Sequence, residues 1–410
     1  MLGSHQAIRP AEALSTAGIT SGDYFGTAVA VADINGDEMS DLIVGVSDMF
    51  DGRVYILFLN ADTTCVSFQK ISQPSFTYYF GYSLAILPDM NGDSVIEMAV
   101  GAYGDHDGGS SAGAIYIFFL ATDGTYNSYQ KISDSYGEFT IDLANSDYFG
   151  SSVACLGDLN EDGIDDLAVG AYGNDDGSSD AGAVYILFLT NEGNCLSAQK
   201  ISSESGNFTS TAYSYFGRAT AGIGDLNSDM VSDVLVGAPT INKEGMIFVI
   251  FLLPSGAVLS HQKIGLNSGG FTAPLSSSDF FGTSCSSSND INGDGLTDVM
   301  AGATGDDDGS ENGGSLYVLF LDQYGWTISH QKISDISGDF TAEFWNGNDN
   351  GAQFGYACAF AGDMNGDGIA DLIASAHATY DGGADENDLG TVYILFISQS
   401  FGTWLRPLCI

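Results

Sequence analysis

A Phe-Gly pair recurs six times along the chain, at Phe25-Gly26, Phe80-Gly81, Phe149-Gly150, Phe216-Gly217, Phe281-Gly282 and Phe354-Gly355. The intervals are 55, 69, 67, 65 and 73 residues. A repeat of this size is one supersecondary unit that cannot bury its own apolar faces and must stack on its neighbours. Every Phe-Gly leads into an acidic loop and then a short apolar run, LIVG, MAVG, LAVG, VLVG, VMAG or LIAS. An aromatic-bearing apolar segment follows, for example Ala183-Val184-Tyr185-Ile186-Leu187-Phe188-Leu189. Gln-Lys-Ile then closes the unit at 69–71, 130–132, 199–201, 262–264 and 331–333. The runs are β-branched and aromatic, Gly, Asp and Asn separate them, and no helical period is sustained.

Each unit therefore supplies about four short strands. A lone four-stranded sheet leaves both faces open, whereas copies packed around an axis cover both and protect their edges. The expectation is an all-β, single-domain β-propeller over 1–410, with an open solenoid as the competing arrangement. Its repeats fall at about 20–71, 75–132, 144–201, 211–264, 276–333 and 349–397. His5-Gln6-Ala7-Ile8 matches His261-Gln262-Lys263-Ile264, so residues 5–8 are expected to close a six-bladed ring as its last strand. Trp404-Leu405-Arg406-Pro407 is a rival for that position and keeps seven blades open.

The acidic loops carry the chemistry. They supply Asp33, Asn35, Asp37, Met39 and Asp41, then Asp89, Asn91, Asp93, Val95 and Glu97, then Asp158, Asn160, Asp162, Ile164 and Asp166. The remaining three supply Asp225, Asn227, Asp229, Val231 and Asp233, then Asp290, Asn292, Asp294, Leu296 and Asp298, then Asp363, Asn365, Asp367, Ile369 and Asp371. These residues are positions 1, 3, 5, 7 and 9 of D-x-N-x-D-x-φ-x-[DE], with φ apolar. Side-chain oxygens at 1, 3 and 5 converge in a tight turn, the apolar residue at 7 offers only its carbonyl, and a carboxylate at 9 closes the set. Hard oxygen ligands without His or Cys suit Ca²⁺, up to six ions here. An EF-hand needs a carboxylate at position 12. Val44, Val100, Val169, Val236, Ala301 and Ala374 stand there instead, which excludes that reading. Position 6 favours Gly, and Gly163, Gly295 and Gly368 provide it where Glu38, Ser94 and Met230 do not. The strongest binding is therefore expected in the loops starting at Asp158, Asp290 and Asp363.

Charge narrows the partners. With 53 acidic against 10 basic residues the formal net charge is −43, which repels nucleic acid and anionic lipid and attracts cations. The apolar runs are strand-sized, far short of the roughly 20 residues of a bilayer-spanning helix. The N-terminus MLGSHQAIRP lacks the apolar core of a secretory signal and starts inside a repeat unit, which leaves a truncated start open. Cys65, Cys155, Cys195, Cys285, Cys358 and Cys409 show no zinc spacing. Cys285 and Cys358 stand where other copies have Val29, Leu84 and Val153, and they read as small core residues.

Phe-Gly, the DxNxDGxxD loop and a Gly-Ala-Pro-like segment, complete only at Gly237-Ala238-Pro239, together resemble the FG-GAP repeat of integrin α-chain propellers. Val46 and Ser375 depart from that segment. The resemblance covers nearly the whole chain. It implies a Ca²⁺-binding, extracellular or cell-surface adhesion or ligand-binding module that takes a protein or glycan ligand on the face opposite the calcium loops. Integrin α-chains have seven such repeats against six here. The alternatives are a structural fragment of a larger repeat protein or the accessory propeller of a hydrolase. No GxSxG, HExxH or Rossmann signal is present, so the chain does not read as an enzyme.

On the expected ligand face, Phe139, Phe208, Phe271 and Phe340 recur and are expected to pack. Phe344 and Trp345 have no counterpart and are the candidate ligand contacts. The repeated Lys70, Lys131, Lys200, Lys263 and Lys332, and His261 with His330, read as structural. Asn207-Phe208-Thr209 is the one glycosylation sequon, so Asn207 is the candidate glycan acceptor if the chain is secreted.

Overall fold

A computed structural model describes residues 2–10, 18–19, 22–74, 77–208, 211–287, 290–340, 351–378 and 389–398. Their strands form six separate four-stranded antiparallel sheets. In the first blade the strands are Phe25–Ala32, Asp41–Val46, Arg53–Leu59 and Cys65–Ser72, in sequence order from the axis outward. The first strand of each blade touches the first strand of the next all round the ring, including blade 6 against blade 1. The molecule is therefore a closed six-bladed propeller.

The ring closes through the N-terminus. Leu2–Ile8 is the outer strand of blade 6, antiparallel to Thr391–Ile397 with Ile8 opposite Val392 and His5 opposite Leu395. Blade 5 has the same register, with Ile333 opposite Leu316 and His330 opposite Leu319. Trp404–Pro407 lie outside the described residues.

Second strands are buried along their whole length and third strands nearly so, as in Asp166–Ala171 and Ala183–Leu189. Each is covered by its own sheet neighbours and by a blade on either side, so their sequences are continuous apolar runs rather than alternating ones. Outer strands such as Cys65–Ser72 are only half covered. The buried apolar residues form six clusters, each between adjacent blades; Phe149, Tyr185, Ile115 and Leu87, for example, share the cluster between blades 2 and 3.

The Phe-Gly pair makes the seam. All six phenylalanines are fully buried, and truncating one to Ala costs about 3–5 kcal/mol. The paired glycines have positive φ, such as Gly150 at 85° and Gly217 at 88°, and sit in a bulge where the register shifts. The glycine ending the second-strand motif faces the next seam: a Cβ on Gly170 would lie 1.9 Å from the Gly217 carbonyl oxygen. Ser83, Ser152 and Ser284 donate to the Gly150, Gly217 and Gly355 carbonyls at 2.8, 2.9 and 2.7 Å. Ser375, the departure in blade 6, accepts the Ala357 N–H at 3.0 Å, so its hydroxyl has a partner at the closing seam.

The connector phenylalanines pack as expected. Phe208 stacks on Phe216 at 4.4 Å and meets Phe248 and His261 edge-on, and Phe271 and Phe340 repeat this on Phe281 and Phe354. His261, His330 and His5 are thereby packing residues. Lys131, Lys200 and Lys332 each lie over the third-strand tyrosine of their blade and pair with Asp105 and Asp107, with Asp176, and with Asp306 and Asp308.

Candidate metal centres

The six loops join first to second strands and so gather at one end of the ring. Each is built by its own carboxylates. Asp158 accepts the N–H of Asp162 at 2.9 Å and of Gly163 at 2.7 Å, Asn160 Oδ1 accepts the Asp162 N–H at 2.9 Å, and Asp162 accepts the Ile164 N–H at 2.9 Å. The same bonds recur at Asp33, Asp89, Asp225, Asp290 and Asp363. Positions 1, 3 and 5 are thus brought together on an exposed turn, as their spacing anticipates. Accepting the backbone N–H groups of Ser94, Gly92 and Asp93 holds the Asp89 carboxyl below its usual range.

Position 6 is left-handed in all six loops, with φ of 68° at Glu38, 70° at Ser94 and 71° at Met230. Position 4 is left-handed too, and sequence reasoning missed it: Gly36, Gly92, Gly293 and Gly366 fit, whereas Glu161 and Ser228 sit at φ 60° and 63°. The signal was legible as the repeated Asn-Gly-Asp. Only the loops starting at Asp290 and Asp363 have Gly at both positions, and the loop starting at Asp225 has it at neither. The favoured third loop therefore carries one strained position, Glu161, at about 1–2 kcal/mol.

Position 9 also does more than close the set. Asp41, Glu97, Asp166, Asp233, Asp298 and Asp371 are fully buried. Asp166 accepts the N–H of Leu159 and, from the end of the third strand, of Leu189, both at 3.1 Å. Asp41, Asp233 and Asp371 repeat the arrangement. These carboxylates fasten the loop to the sheet. Glu97, one methylene longer, accepts from Met90 N–H and Asn91 Nδ2 instead. Among the described residues it alone joins two loop aspartates, Asp89 and Asp93, with all three carboxylate oxygens within 4.8 Å. Asp298 lacks the third-strand bond, and its Oδ1 is buried without a partner. Burial and the nearby loop aspartates push position 9 up, to about 6 for Asp41 and Asp371 and about 7 for Glu97, Asp166, Asp233 and Asp298.

At this end, a cavity of about 390 Å³ lies between blades 4, 5 and 6, lined by Gly222, Ser287, Asp290 and Phe360. At the opposite end the residue before each Phe-Gly is left-handed, and Tyr24, Tyr79, Tyr148, Tyr215 and Phe280 make a ring of aromatics there. Phe344, Trp345 and the segment Asp381–Asp385 lie outside the described residues; Asn207 is exposed beside the buried Phe208.

The FG-GAP repeat family matches at residues 25–57, 149–187, 281–319 and 354–395, which are blades 1, 3, 5 and 6. Integrin alpha-5 of Xenopus laevis is 33% identical over 225 residues, covering 52% of this chain. This is an integrin-α-like FG-GAP repeat protein. Human integrin alpha-11 is 36% identical over 179 residues and covers 42% of the chain, and integrin alpha-PS2 of Drosophila melanogaster is 28% identical over 284 residues and covers 65%. The matched stretches are 20%, 14% and 19% of those relatives' own lengths. The two blades without a family match in this integrin-α-like propeller are those with Glu97 and Ser94, and with Ser228 and Met230, in their loops. Among the described residues no helix is long and apolar enough to cross a membrane.

Proposed function

We propose that this integrin-α-like propeller binds Ca²⁺ in its inter-strand loops and acts outside the cell as an adhesion or ligand-binding module. The observation that carries the metal reading is the six-fold recurrence of one donor set. In each loop, hard oxygens of two Asp and one Asn stand on a turn held by backbone N–H groups, with a buried carboxylate behind them. The chemistry of the set fits a hard divalent cation and suits neither zinc nor copper. The buried, unpartnered Asp298 Oδ1 and the three gathered carboxylates of Asp89, Asp93 and Glu97 support the fit. The ligands would be Asp33, Asn35, Asp37 and Asp41 with the Met39 carbonyl, and their equivalents in the other five loops. Bound cations would supply the positive charge that the position-9 carboxylates lack.

The proposed ligand is a protein or glycan held on the opposite end, where Tyr24 and Phe280 stay 42% and 37% exposed among acidic loops. The relatives' names support a binding role; with 14% to 20% of those relatives matched, the activity of a whole integrin chain is not transferred.

The test is thermal unfolding in EGTA and then in millimolar Ca²⁺, with bound metal counted by elemental analysis. Several ions per chain and a large Ca²⁺-dependent rise in Tm are expected. No bound metal and an unchanged Tm would reduce the loops to acidic turns. Glycan and matrix-protein arrays then test the ligand, with binding by the Ca²⁺-loaded chain as the expected result.

A further inference from the structure

The residue after each Phe-Gly lines the axial channel: Thr27, Tyr82, Ser151, Arg218, Thr283 and Tyr356. Five are neutral and one is a cation. The Arg218 guanidinium carbon lies 5.1 Å from the Tyr82 ring centre, 5.5 Å from Tyr356 and 5.9 Å from Tyr172. His377 stacks on Tyr356 at 3.6 Å. In a chain of net charge −43, Arg218 has no carboxylate partner among the described residues. Burial pushes the phenols of Tyr82 and Tyr172 up, Tyr172 to about 12, and pushes His377 down to about 3, so no neighbour supplies a counter-charge.

Donors also outnumber acceptors. Guanidinium has five N–H groups, and one is used, from Nη2 to the Tyr356 hydroxyl at 3.1 Å. The Tyr356 and Tyr82 hydroxyls are 3.2 Å apart, so whichever donates, one O–H proton has no acceptor among the described residues. The surrounding hydroxyls do not offer more donors, because Thr27, Ser83, Ser151, Ser152, Thr283 and Ser284 already donate to backbone carbonyls. Arg218 keeps part of its surface on a cavity of about 80 Å³, room for a small ion and a few waters.

We propose that the channel centre is an anion site, in which Arg218 with the spare Tyr82 or Tyr356 O–H binds a small inorganic anion of halide size. A part-buried cation with no carboxylate partner and surplus donors is unfavourable alone, and charge-assisted hydrogen bonds to an anion satisfy both the charge and the donors. The aromatic wall and the small volume favour a compact monovalent ion over a bulky carboxylate.

The probe is chloride against gluconate at constant ionic strength, with calcium supplied as gluconate so that cation loading stays fixed. Wild-type Tm should rise saturably with chloride, and a crystal grown in bromide should show an anomalous peak at hydrogen-bonding distance from the guanidinium. Tyr82→Phe combined with Tyr356→Phe keeps both rings and removes both O–H groups, and should raise the half-saturating chloride about tenfold; Arg218→Met should abolish the response. Equal Tm in chloride and gluconate, or a chloride response unchanged in the double Phe variant or in Arg218→Met, would overturn the proposal. The double Phe variant keeps the test decisive where Arg218→Met fails to fold, and the bromide peak reads the wild-type chain alone: its absence overturns the site.

Discussion

Replacing Asp298 by Asn should change the sign of its effect with calcium. Asp298 is fully buried, Oδ2 accepts the N–H of Ile291 at 2.9 Å, and Oδ1 has no partner. Burial, then Asp294 and Asp290, push its pKa from 3.8 to about 7. The folded value lies above the unfolded one, so stability is fully present below about pH 4 and is lost as pH rises through about 7. Three pKa units correspond to about 4 kcal/mol of cost for the ionised form at neutral pH, at about 1.36 kcal/mol each. Asn removes that charge, keeps an acceptor for Ile291 and leaves an N–H₂ without a partner, a loss of about 1–3 kcal/mol. The net expectation is a gain of about 1–3 kcal/mol in EGTA at pH 7.5 and a flatter pH profile between pH 4 and 7. In saturating Ca²⁺ the same change removes a ligand. Where the wild-type site stands at 1,000 Kd the lost binding is worth about 4.1 kcal/mol, and set against the gain of about 1–3 kcal/mol it leaves a net destabilisation of about 1–3 kcal/mol. Chemical denaturation of both chains, with and without Ca²⁺, reads this directly. A loss of stability in both conditions would refute the view that position 9 is an uncompensated charge awaiting a cation.

Closure predicts that Ile8→Ala costs as much as Ile333→Ala, about 2–5 kcal/mol each, because both side chains are buried at the same register position; a loss below about 0.5 kcal/mol at Ile8 in urea unfolding would contradict it. Gly170→Ala should destabilise strongly and lower the yield of folded chain, since its Cβ would meet the Gly217 carbonyl at 1.9 Å; a Tm within a degree of wild type would show that the seam can open. Met230→Gly should stabilise by about 1 kcal/mol, because Met230 is left-handed at φ 71° and 86% exposed, and Met230→Ala should not. Ser228→Gly should add a similar increment in the same calorimetric scan, position 4 being left-handed as well.

The repeat made the architecture legible before any coordinates. Phe-Gly, the D-x-N-x-D loop, the aromatic third strand and Gln-Lys-Ile each recur because every blade meets its neighbours in the same way. A residue repeated six times reports one interface, and so the packing of Phe208 on Phe216 and of His261 beside it follows from recurrence. Even the closing strand was legible, because His5-Gln6-Ala7-Ile8 keeps the motif of an outer strand whose partners stand at the far end of the chain.

What recurrence cannot convey is what happens where six different residues face one another. Arg218 reads as an unremarkable cation after a Phe-Gly. Only the ring brings Tyr82, Tyr172, Tyr356 and His377, from three other blades, around it, because the axis joins side chains that are far apart in sequence and under no shared pattern. Position 9 is similar: its spacing marks a candidate ligand, but its burial and, in four of the six blades, its bond to the third strand arise only when the sheet forms around it. The sequence by itself determined the blade and the acidic loop motif, since each is local or periodic, and left the choice between six and seven blades to the structure. The tertiary structure decided which carboxylates stay charged at a cost and which cation stands without a partner, since both depend on the solvent and neighbours that closure of the ring takes away.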